Sequence, residues 1–141
     1  MNSKEILAFI PAYNEENNLK EVLEDLISHN YSILVVDDGS TDETFNIASN
    51  MPVAVIRHSY NKGYEKALSS GISYAIENDY NYAISFDADG QMFVDDIEKF
   101  FILAKERDAD IVVGKRKIKN RFFEHFVGAL TRFYYSVSDP L

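Results

Sequence analysis

Apolar residues along the chain alternate between short continuous runs and helical repeats. Short apolar runs bounded by polar or turn-forming residues are typical of buried strands. Such runs cover residues 6–10, 33–36, 53–56, 82–86 and 111–113. Between them, apolar residues recur three and four positions apart, as on one face of a helix, over residues 19–27, 41–50, 68–76 and 97–104. We therefore predict five strands alternating with four helices, the second helix being opened by Ser40 or Thr41 as its N-cap.

Strands that alternate with helices of this length form βαβ units, in which right-handed crossovers place neighbouring strands parallel. A mostly parallel sheet is buried on both faces, which agrees with the continuous apolar runs. The chain has 141 residues, about the size of one domain, and shows no internal repeat. We therefore predict an α/β fold with a mostly parallel sheet, flanked by helices, and a single core.

Composition and charge exclude several classes of protein. The chain has no cysteine, so neither a disulfide framework nor a thiolate metal site can form. Residues 1–114 carry 21 acidic against 8 basic residues, which disfavours general nucleic-acid binding. Near the N-terminus only residues 6–10 form an apolar run before Pro11, too few for a signal-peptide core or a membrane span. We therefore expect a cytoplasmic protein that binds no nucleic acid.

Residues 115–141 differ from the rest of the chain, with six basic and two acidic residues. A run of basic residues is followed by a predicted helix with a wide apolar face, made of Phe122, Phe123, Phe126, Val127, Leu130, Phe133, Tyr134 and Val137. Basic and aromatic side chains together suit a membrane surface, where cations meet anionic head groups. The same face could instead pack on the sheet as a core helix, or form an interface with another copy or with further sequence.

Acidic residues follow two of the predicted strands at the point where each strand ends. Asp37 and Asp38 follow the second strand, and Asp87 and Asp89 follow the fourth. In an open α/β sheet the ligand crevice lies beyond the carboxyl ends of the strands, and hard divalent cations prefer a few carboxylate oxygens plus ligand phosphates. A metal-bound phosphate ligand is therefore one interpretation. The alternatives are a turn with a helix cap after the second strand and an Asp-Gly turn after the fourth.

Three segments in this order resemble the motifs of glycosyltransferase family 2, the inverting nucleotide-sugar transferases with the GT-A fold. They are IPAYNEE at residues 10–16, VVDDGSTD at residues 35–42 and DADGQ at residues 87–91, the last similar to the family's metal-binding DxD motif. VVGKR at residues 112–116 and SDPL at residues 138–141 are similar to segments of the polyprenyl-phosphate sugar transferases, such as dolichyl-phosphate mannose synthases and undecaprenyl-phosphate glycosyltransferases. The resemblance implies a Rossmann-like GT-A core.

The resemblance also implies which residues bind the nucleotide-sugar donor. They are Pro11, Ala12, Tyr13, Glu15, Asp37, Asp38, Lys62, Gly63, Asp87 and Ala88. Asp38 would accept a hydrogen bond from the base, and a carboxylate can do so from uracil or from guanine, which leaves UDP and GDP both open. Asp37 could instead orient its loop. Lys62 could hold the diphosphate or be a solvated charge, and the loop after it has Glu65 and Lys66 where the family has small residues.

For the metal, the resemblance implies Mg²⁺ or Mn²⁺ bound by Asp87, Asp89 and Gln91. Departure of the nucleoside diphosphate builds negative charge, which a divalent cation stabilises as a Lewis acid. Asp89 and Arg116 are the catalytic residues by this resemblance. The guanidinium of Arg116 would stabilise the leaving diphosphate or grip a phosphate acceptor, since its fork matches phosphate oxygens, and the alternative is a solvated charge in a basic turn.

The function implied is transfer of a sugar, with inversion, from a UDP- or GDP-sugar to a polyprenyl phosphate at the cytoplasmic face of a membrane. Residues 1–118 would form the nucleotide-sugar-binding core. Residues 119–141 would form an amphipathic helix that begins the acceptor or membrane-facing region. Family members usually continue beyond the SDPL position, so we expect a chain truncated at its C-terminal end.

Two other functions fit parts of the pattern. The chain could be a donor-half module that binds a nucleotide sugar without turnover. A receiver-type phospho-acceptor domain or a haloacid-dehalogenase-like phosphatase also uses aspartates at strand ends, but places its acidic motif after the first strand, where this chain has PAYN at residues 11–14. His29, His58 and His125 show no ligand spacing, and the pattern assigns them no chemistry.

Overall fold

A computed structural model of the chain describes residues 5–89 and 92–114. The elements in chain order are β1 (Ile6–Ala12), α1 (Leu19–Ser28), β2 (Ser32–Asp37), α2 (Thr44–Ser49), β3 (Ala54–Arg57), α3 (Tyr64–Glu77), β4 (Tyr82–Ser85) and α4 (Asp95–Arg107). The strict alternation of strands and helices is the one that the apolar pattern predicts.

The four strands form one parallel sheet in the order β3-β2-β1-β4. β1 lies at its centre, with Ile10 opposite Val35 of β2 and Phe9 opposite Ser85 of β4. Strands β2 and β3 are added on one side of β1, and β4 is added on the other. The predicted α/β class, with a parallel sheet flanked by helices, is confirmed.

The sheet is buried on both faces because alternate residues of β1 point to opposite sides. Ile6, Ala8 and Ile10 pack in one core cluster with α1, α2 and α4. Leu7 and Phe9 pack in the other, against α3. Complete burial of each large aliphatic side chain stabilises the fold by about 1.5–3 kcal/mol. Because β1 is packed in this way on both faces, its carboxyl end is held in a fixed position.

The predicted fifth strand over residues 111–113 is wrong. These residues belong to no strand, and the side chains of Ile111 and Val113 are 70% and 75% exposed. A strand requires a hydrogen-bonded neighbour, and residues 111–113 pair with none of the four strands described. A three-residue apolar run carries no information about pairing, so the sequence could not reveal this.

Helix α2 begins at Thr44, later than predicted, because the two expected caps have other partners. Ser40 Oγ accepts a hydrogen bond from the backbone nitrogen of Asn14 at 3.0 Å, and the backbone nitrogen of Thr41 donates to Asn14 Oδ1 at 2.9 Å. The first helical N–H group, that of Thr44, donates instead to Asp42 Oδ1 at 3.0 Å. The polar residues after β2 thus hold the neighbouring loop.

None of the helices within the described residues is both long and apolar enough to cross a membrane. The basic and aromatic helix predicted over residues 119–141 lies outside the described residues, as does the division at residue 118.

Candidate nucleotide-sugar site

A cleft of about 560 Å³ lies at the carboxyl ends of β1 and β4. The strand order reverses here, because the chain adds β2 and β3 on one side of β1 and then returns to place β4 on the other. The loops that leave two such strands diverge, and the crevice between them is the usual ligand site of open α/β sheets. The cleft is lined by Pro11, Ala12, Tyr13, Glu15, Asp38, Asn61, Gly63, Tyr64, Ala67, Asp87, Ala88 and Asp89.

Most of the residues expected at the donor site meet in this cleft, although they come from four separate segments. Nine of them line it: Pro11, Ala12, Tyr13, Glu15, Asp38, Gly63, Asp87, Ala88 and Asp89. Asp37 and Lys62 do not line it. Gln91 and Arg116 lie outside the described residues. The structure thus brings the segments together, and the ligand-binding role of each residue stays a prediction.

The loop after β1 is held by hydrogen bonds from its backbone to polar side chains at the start of α2 and just before it. The nitrogen of Glu15 donates to Thr44 Oγ1 at 2.7 Å, and the nitrogen of Glu16 donates to Asp42 Oδ2 at 3.2 Å. Asn14 has a φ of 56°, a left-handed conformation that asparagine tolerates better than most residues. These bonds orient Tyr13 and Glu15 at the cleft by tying their backbone to a second loop.

Asp42 is charged more readily than an ordinary aspartate. Burial raises the pKa of its carboxyl group, but hydrogen bonds from Thr44 and from the backbone of Glu16 outweigh burial and lower the pKa overall. The bond from Glu16 joins the two loops, and the bond from the backbone of Thr44 is local. The ionised form of Asp42 is therefore linked to the arrangement of the loop that carries Tyr13 and Glu15.

Asp37 is fully buried, does not line the cleft and has structural partners. Its Oδ1 accepts a hydrogen bond from the nitrogen of Ser40 at 3.0 Å, and Arg57 Nε lies 3.0 Å from its Oδ2. The contact with Arg57 is an ion pair, since Oδ2 accepts no hydrogen bond of good geometry within the described residues. The guanidinium of Arg57 also lies 4.2 Å above the ring of Phe45. These contacts agree with the alternative that Asp37 orients its loop.

Asp38 is also buried, at 3% exposure, yet it is one of the residues that line the cleft. Its Oδ1 lies 2.6 Å from His58 Nδ1 and accepts a bond from the nitrogen of Lys62 at 3.0 Å, while its Oδ2 accepts one from the nitrogen of Gly63 at 2.8 Å. Burial raises the pKa of Asp38, but these three donors outweigh burial and lower the pKa overall. Asp38 therefore remains ionised at neutral pH.

His58 is a residue that the sequence analysis missed. It is buried directly after β3, and its Nε2 lies 2.9 Å from Ser70 Oγ on α3 while its Nδ1 faces Asp38. Histidine spacing indicates metal ligands only, and His58 has no such spacing. The signal that the sequence offers for His58 is its position just after a strand, the same feature that marks Asp37 and Asp87.

Lys62 contributes its backbone to the site more clearly than its side chain. The ammonium group lies 5.6 Å from the ring centroid of the exposed Tyr60, and the cleft lining does not include Lys62. Its predicted contact with a diphosphate stays a prediction.

Asp87 and Asp89 stand on either side of the buried Ala88 after the end of β4. Both residues line the cleft, and Asp89 is exposed. Carboxylate oxygens fit a hard divalent cation, and Mg²⁺ is usually bound through one or two carboxylates together with substrate phosphates and water. Within residues 5–89 and 92–114, no group of three or more histidine, cysteine or acidic side chains could hold a metal ion alone. The pair fits a cation that a phosphate ligand would help to bind.

A second cleft of similar volume, about 560 Å³, lies at the opposite end of the sheet. It is lined by Glu5, Asn81, Tyr82, Ala104, Lys105, Asp108, Ala109 and Asp110. The ammonium group of Lys105 pairs with the carboxylate of Glu5 at 2.5 Å, and none of the predicted site residues is present. This end of a parallel sheet rarely carries the chemistry of the fold.

Comparison with known proteins identifies the fold family that carries such a cleft. The profile of glycosyl transferase family 2 matches residues 8–138, which is nearly the whole chain. The chain belongs to this family. The family resemblance of the three sequence motifs is confirmed, and with it the GT-A-like character of the sheet. The receiver and phosphatase interpretations are wrong, since the family 2 domain places Pro11 and Ala12, not an acidic motif, at the end of its first strand.

Several relatives carry names that agree with the narrower resemblance. The chain is 39% identical over 138 residues to a UDP-N-acetylglucosamine–dolichyl-phosphate N-acetylglucosaminyltransferase of Methanococcus voltae, covering 85% of the chain and 55% of the relative. It is 33% identical over 129 residues to a dolichol-phosphate mannosyltransferase of Pyrococcus furiosus, covering 86% and 36% respectively. A polyprenol monophosphomannose synthase of Mycolicibacterium smegmatis is 29% identical over 121 residues, covering 79% and 45%. The chain thus spans between 36% and 55% of the length of these relatives.

Proposed function

We propose that this family 2 domain binds a nucleoside-diphosphate sugar in the cleft between β1 and β4, and that the whole protein transfers the sugar with inversion to a polyprenyl phosphate. One observation carries the proposal: residues from four strand-end segments, including Tyr13, Asp38 and Asp89, line a single cleft at the point where the strand order reverses. The names of the relatives support the same class of donor and acceptor.

The donor in this proposal is a UDP-sugar. A carboxylate has about four acceptor positions, and Asp38 uses both positions of Oδ1 and one of Oδ2 on His58, Lys62 and Gly63. One position on Oδ2 remains for a ligand. Uracil offers a single imino N–H to such an acceptor, whereas guanine offers two parallel donors that suit both carboxylate oxygens. The Methanococcus voltae relative, whose name specifies a UDP-sugar, supports this choice.

The roles of the acidic residues follow from the charge that the reaction develops. Asp87 and Asp89 would hold Mg²⁺ or Mn²⁺, with Gln91 as a further ligand. The bound cation would stabilise the leaving diphosphate as a Lewis acid. Asp89 would keep the donor's diphosphate in register with the base held at Asp38. Arg116 would place its guanidinium against phosphate oxygens of the donor or acceptor.

The acceptor phosphate changes what the protein must provide. A phosphate oxygen already carries negative charge at neutral pH, so its attack on the sugar needs no general base. The basic and aromatic residues of 119–141 would then bring the site to the cytoplasmic face of a membrane, where a polyprenyl chain is embedded. A domain that binds the donor without turnover is the second candidate, because the described residues that line the cleft account for donor binding and not for an acceptor.

Calorimetric titration of the chain with UDP and with GDP, each with and without Mn²⁺, tests the donor site. We expect UDP to bind in the presence of Mn²⁺, and we expect Asp89→Ala to weaken that binding at least about tenfold by removing a ligand to the cation. Asp110→Ala is the matched control, because Asp110 is an exposed aspartate of the other cleft. Metal-independent affinity, or equal losses in both variants, would contradict the metal site.

The same titrations separate the other parts of the proposal. GDP binding as tight as UDP would refute the UDP assignment while leaving the donor site intact. Transfer of labelled sugar to a short-chain polyprenyl phosphate in vesicles distinguishes the enzyme from the binding module. Binding without transfer by the full-length protein would support the module.

A further inference from the structure

His58 joins two parts of the molecule that meet at the cleft. Its ring lies between Asp38, at the end of β2, and Ser70, on α3, at 2.6 Å and 2.9 Å. Its backbone nitrogen donates to the carbonyl of Asp37 at 2.8 Å, which continues the pairing of β3 with β2. The imidazole ring of His58 is therefore held by contacts at both of its nitrogens, and the backbone of the same residue is held by β2.

The direction of the hydrogen bonds follows from the charge of Asp38. An ionised carboxylate only accepts hydrogen bonds, so Nδ1 of His58 carries the hydrogen that it donates to Oδ1. The other ring nitrogen, Nε2, lies within hydrogen-bond distance of the Ser70 hydroxyl, which can act as donor or acceptor. The bond from His58 to Asp38 therefore has a fixed direction, and Ser70 ties the ring to α3.

Asp38 in turn holds the segment 59–63 that forms one wall of the cleft. The backbone nitrogens of Lys62 and Gly63 both donate to its carboxylate. The preceding part of this segment packs closely on Gly39, whose φ is 72° and where an added Cβ would lie 2.7 Å from the nitrogen of Asn61. The wall that carries Asn61 is thus held by two neighbouring residues, a carboxylate and a glycine.

We infer that His58 is a positioning residue of the donor site, which holds the carboxylate of Asp38 and through it the 59–63 wall in the geometry that binds the nucleotide. Loss of its N–H leaves a buried carboxylate with one partner fewer, and the carboxylate would turn to recover one. Asn61, Gly63 and Tyr64 line the cleft and would move with it. The effect on nucleotide binding rests on the proposed function, whereas the effect on the wall does not.

Two substitutions separate the donor nitrogen from the bulk of the ring. His58→Asn puts an amide N–H near the place of Nδ1 and keeps the bond to Asp38. His58→Gln puts an amide near the place of Nε2 and keeps only the contact with Ser70. We expect H58Q to weaken Mn²⁺-dependent UDP binding about tenfold and H58N to stay within about twofold of the unaltered chain, since a hydrogen bond to a charged group accounts for a difference of this size. His29→Gln, at an exposed histidine, is the control.

Amide hydrogen exchange of the chain without nucleotide gives a second readout. The N–H groups of Lys62 and Gly63 should exchange about tenfold faster in H58Q than in the unaltered chain, and H58N should retain their protection. Similar exchange and affinity in H58N and H58Q would overturn the inference. Weakened nucleotide binding in H58N would also overturn the inference, and this result is decisive even if H58Q does not fold. If the unaltered chain binds no nucleotide, the proposed function fails, and the exchange rates still decide the role of His58.

Discussion

Asp38 is a buried carboxylate that is stabilised by hydrogen-bond donors. Neither lysine nor arginine supplies a side-chain ion pair to it within the described residues; its partners are the ring of His58 and two backbone N–H groups. Donors that are fixed in this way stabilise the carboxylate in one position. A flexible lysine ammonium group would instead move with the carboxylate. Asp38 can therefore present an oxygen to a ligand without a large rearrangement.

Acid should destabilise the fold through Asp38 and Asp42. Both have folded-state pKa values below their ordinary value of 3.8, so the unfolded chain binds more protons as the pH falls towards and below that value. The stabilisation is complete above the ordinary pKa and is lost as the pH falls through the folded-state pKa. Urea unfolding between pH 2.5 and about pH 6 measures it.

Asp38→Asn is the variant that isolates the contribution of Asp38. It should be less stable than the unaltered chain at pH 6, and the difference should shrink as the pH falls, because protonation removes the same charge from the unaltered chain. Asp110→Asn, at an exposed position, should leave the pH dependence unchanged. A constant difference between D38N and the unaltered chain across this range would show that the charge of Asp38 does not stabilise the fold.

At this scale the sequence predicts the residues of the site better than their partners. Asp38 and Asp89 belong to short motifs at strand ends, which are local and therefore visible. His58 is 20 residues from Asp38 in the chain, and the two side chains meet only because β3 pairs beside β2 in a particular register. Long-range contacts of this kind depend on the folded sheet, and no pattern of spacing contains them.

Helix α3 and strand β1 approach closely at Gly71. The helix packs on one face of the sheet with Ala67 and Ala75 buried, so that small residues line the contact. An added Cβ at Gly71 would lie 2.6 Å from Cε2 of Phe9. This approach fixes the height of α3 above the sheet, and with it the position of Tyr64 and Ser70 near the cleft.

Gly71→Ala should therefore destabilise the fold, although alanine favours a helix over glycine by about 1 kcal/mol. The methyl group collides with the ring of Phe9, and overpacking of a core costs about 1–3 kcal/mol, so we expect a net loss of about 1 kcal/mol in urea unfolding. Ser69→Ala, at an exposed position of the same helix, should be neutral or slightly stabilising. In a Phe9→Leu background the loss should be smaller. A stabilised G71A variant would show that α3 can move away at little cost.

The elements themselves were predictable where their period was long and clear. Helices α1 and α3 and the buried strand β1 follow from apolar spacing alone. The start of α2 was not predictable, because Ser40 and Thr41 form hydrogen bonds with Asn14 of another loop. Asp42 therefore accepts the bond from the first helical N–H group. The apolar run at residues 111–113 predicts a strand, but a strand also needs a neighbouring strand with which to form hydrogen bonds, and an apolar run does not indicate one.

The charge of the whole molecule bears on how it can bind an anionic donor. The chain has a formal net charge of −9, and Glu15, Asp38, Asp87 and Asp89 all line the proposed donor cleft. A diphosphate brought to these carboxylates would be repelled. Within the described residues, the lining of the cleft includes neither lysine nor arginine. A divalent cation between Asp89 and the diphosphate would turn this repulsion into attraction, so the expected consequence of the charge distribution is that binding of the proposed donor depends on a metal.

Thermal unfolding tests that consequence on the intact chain. A ligand at 100 times its dissociation constant stabilises the folded state by about 2.7 kcal/mol, which raises Tm by roughly 5–10 °C for a domain near this size. We expect such a rise with UDP and Mn²⁺ together, and a much smaller one with either alone, since each component needs the other's charge. Asp89→Ala should reduce the joint effect by about half or more, since a tenfold loss of affinity removes about half of that stabilisation, and Asp110→Ala should retain it. An equal rise with UDP alone would mean that residues outside the described cleft supply the positive charge, with Arg116 the first to substitute.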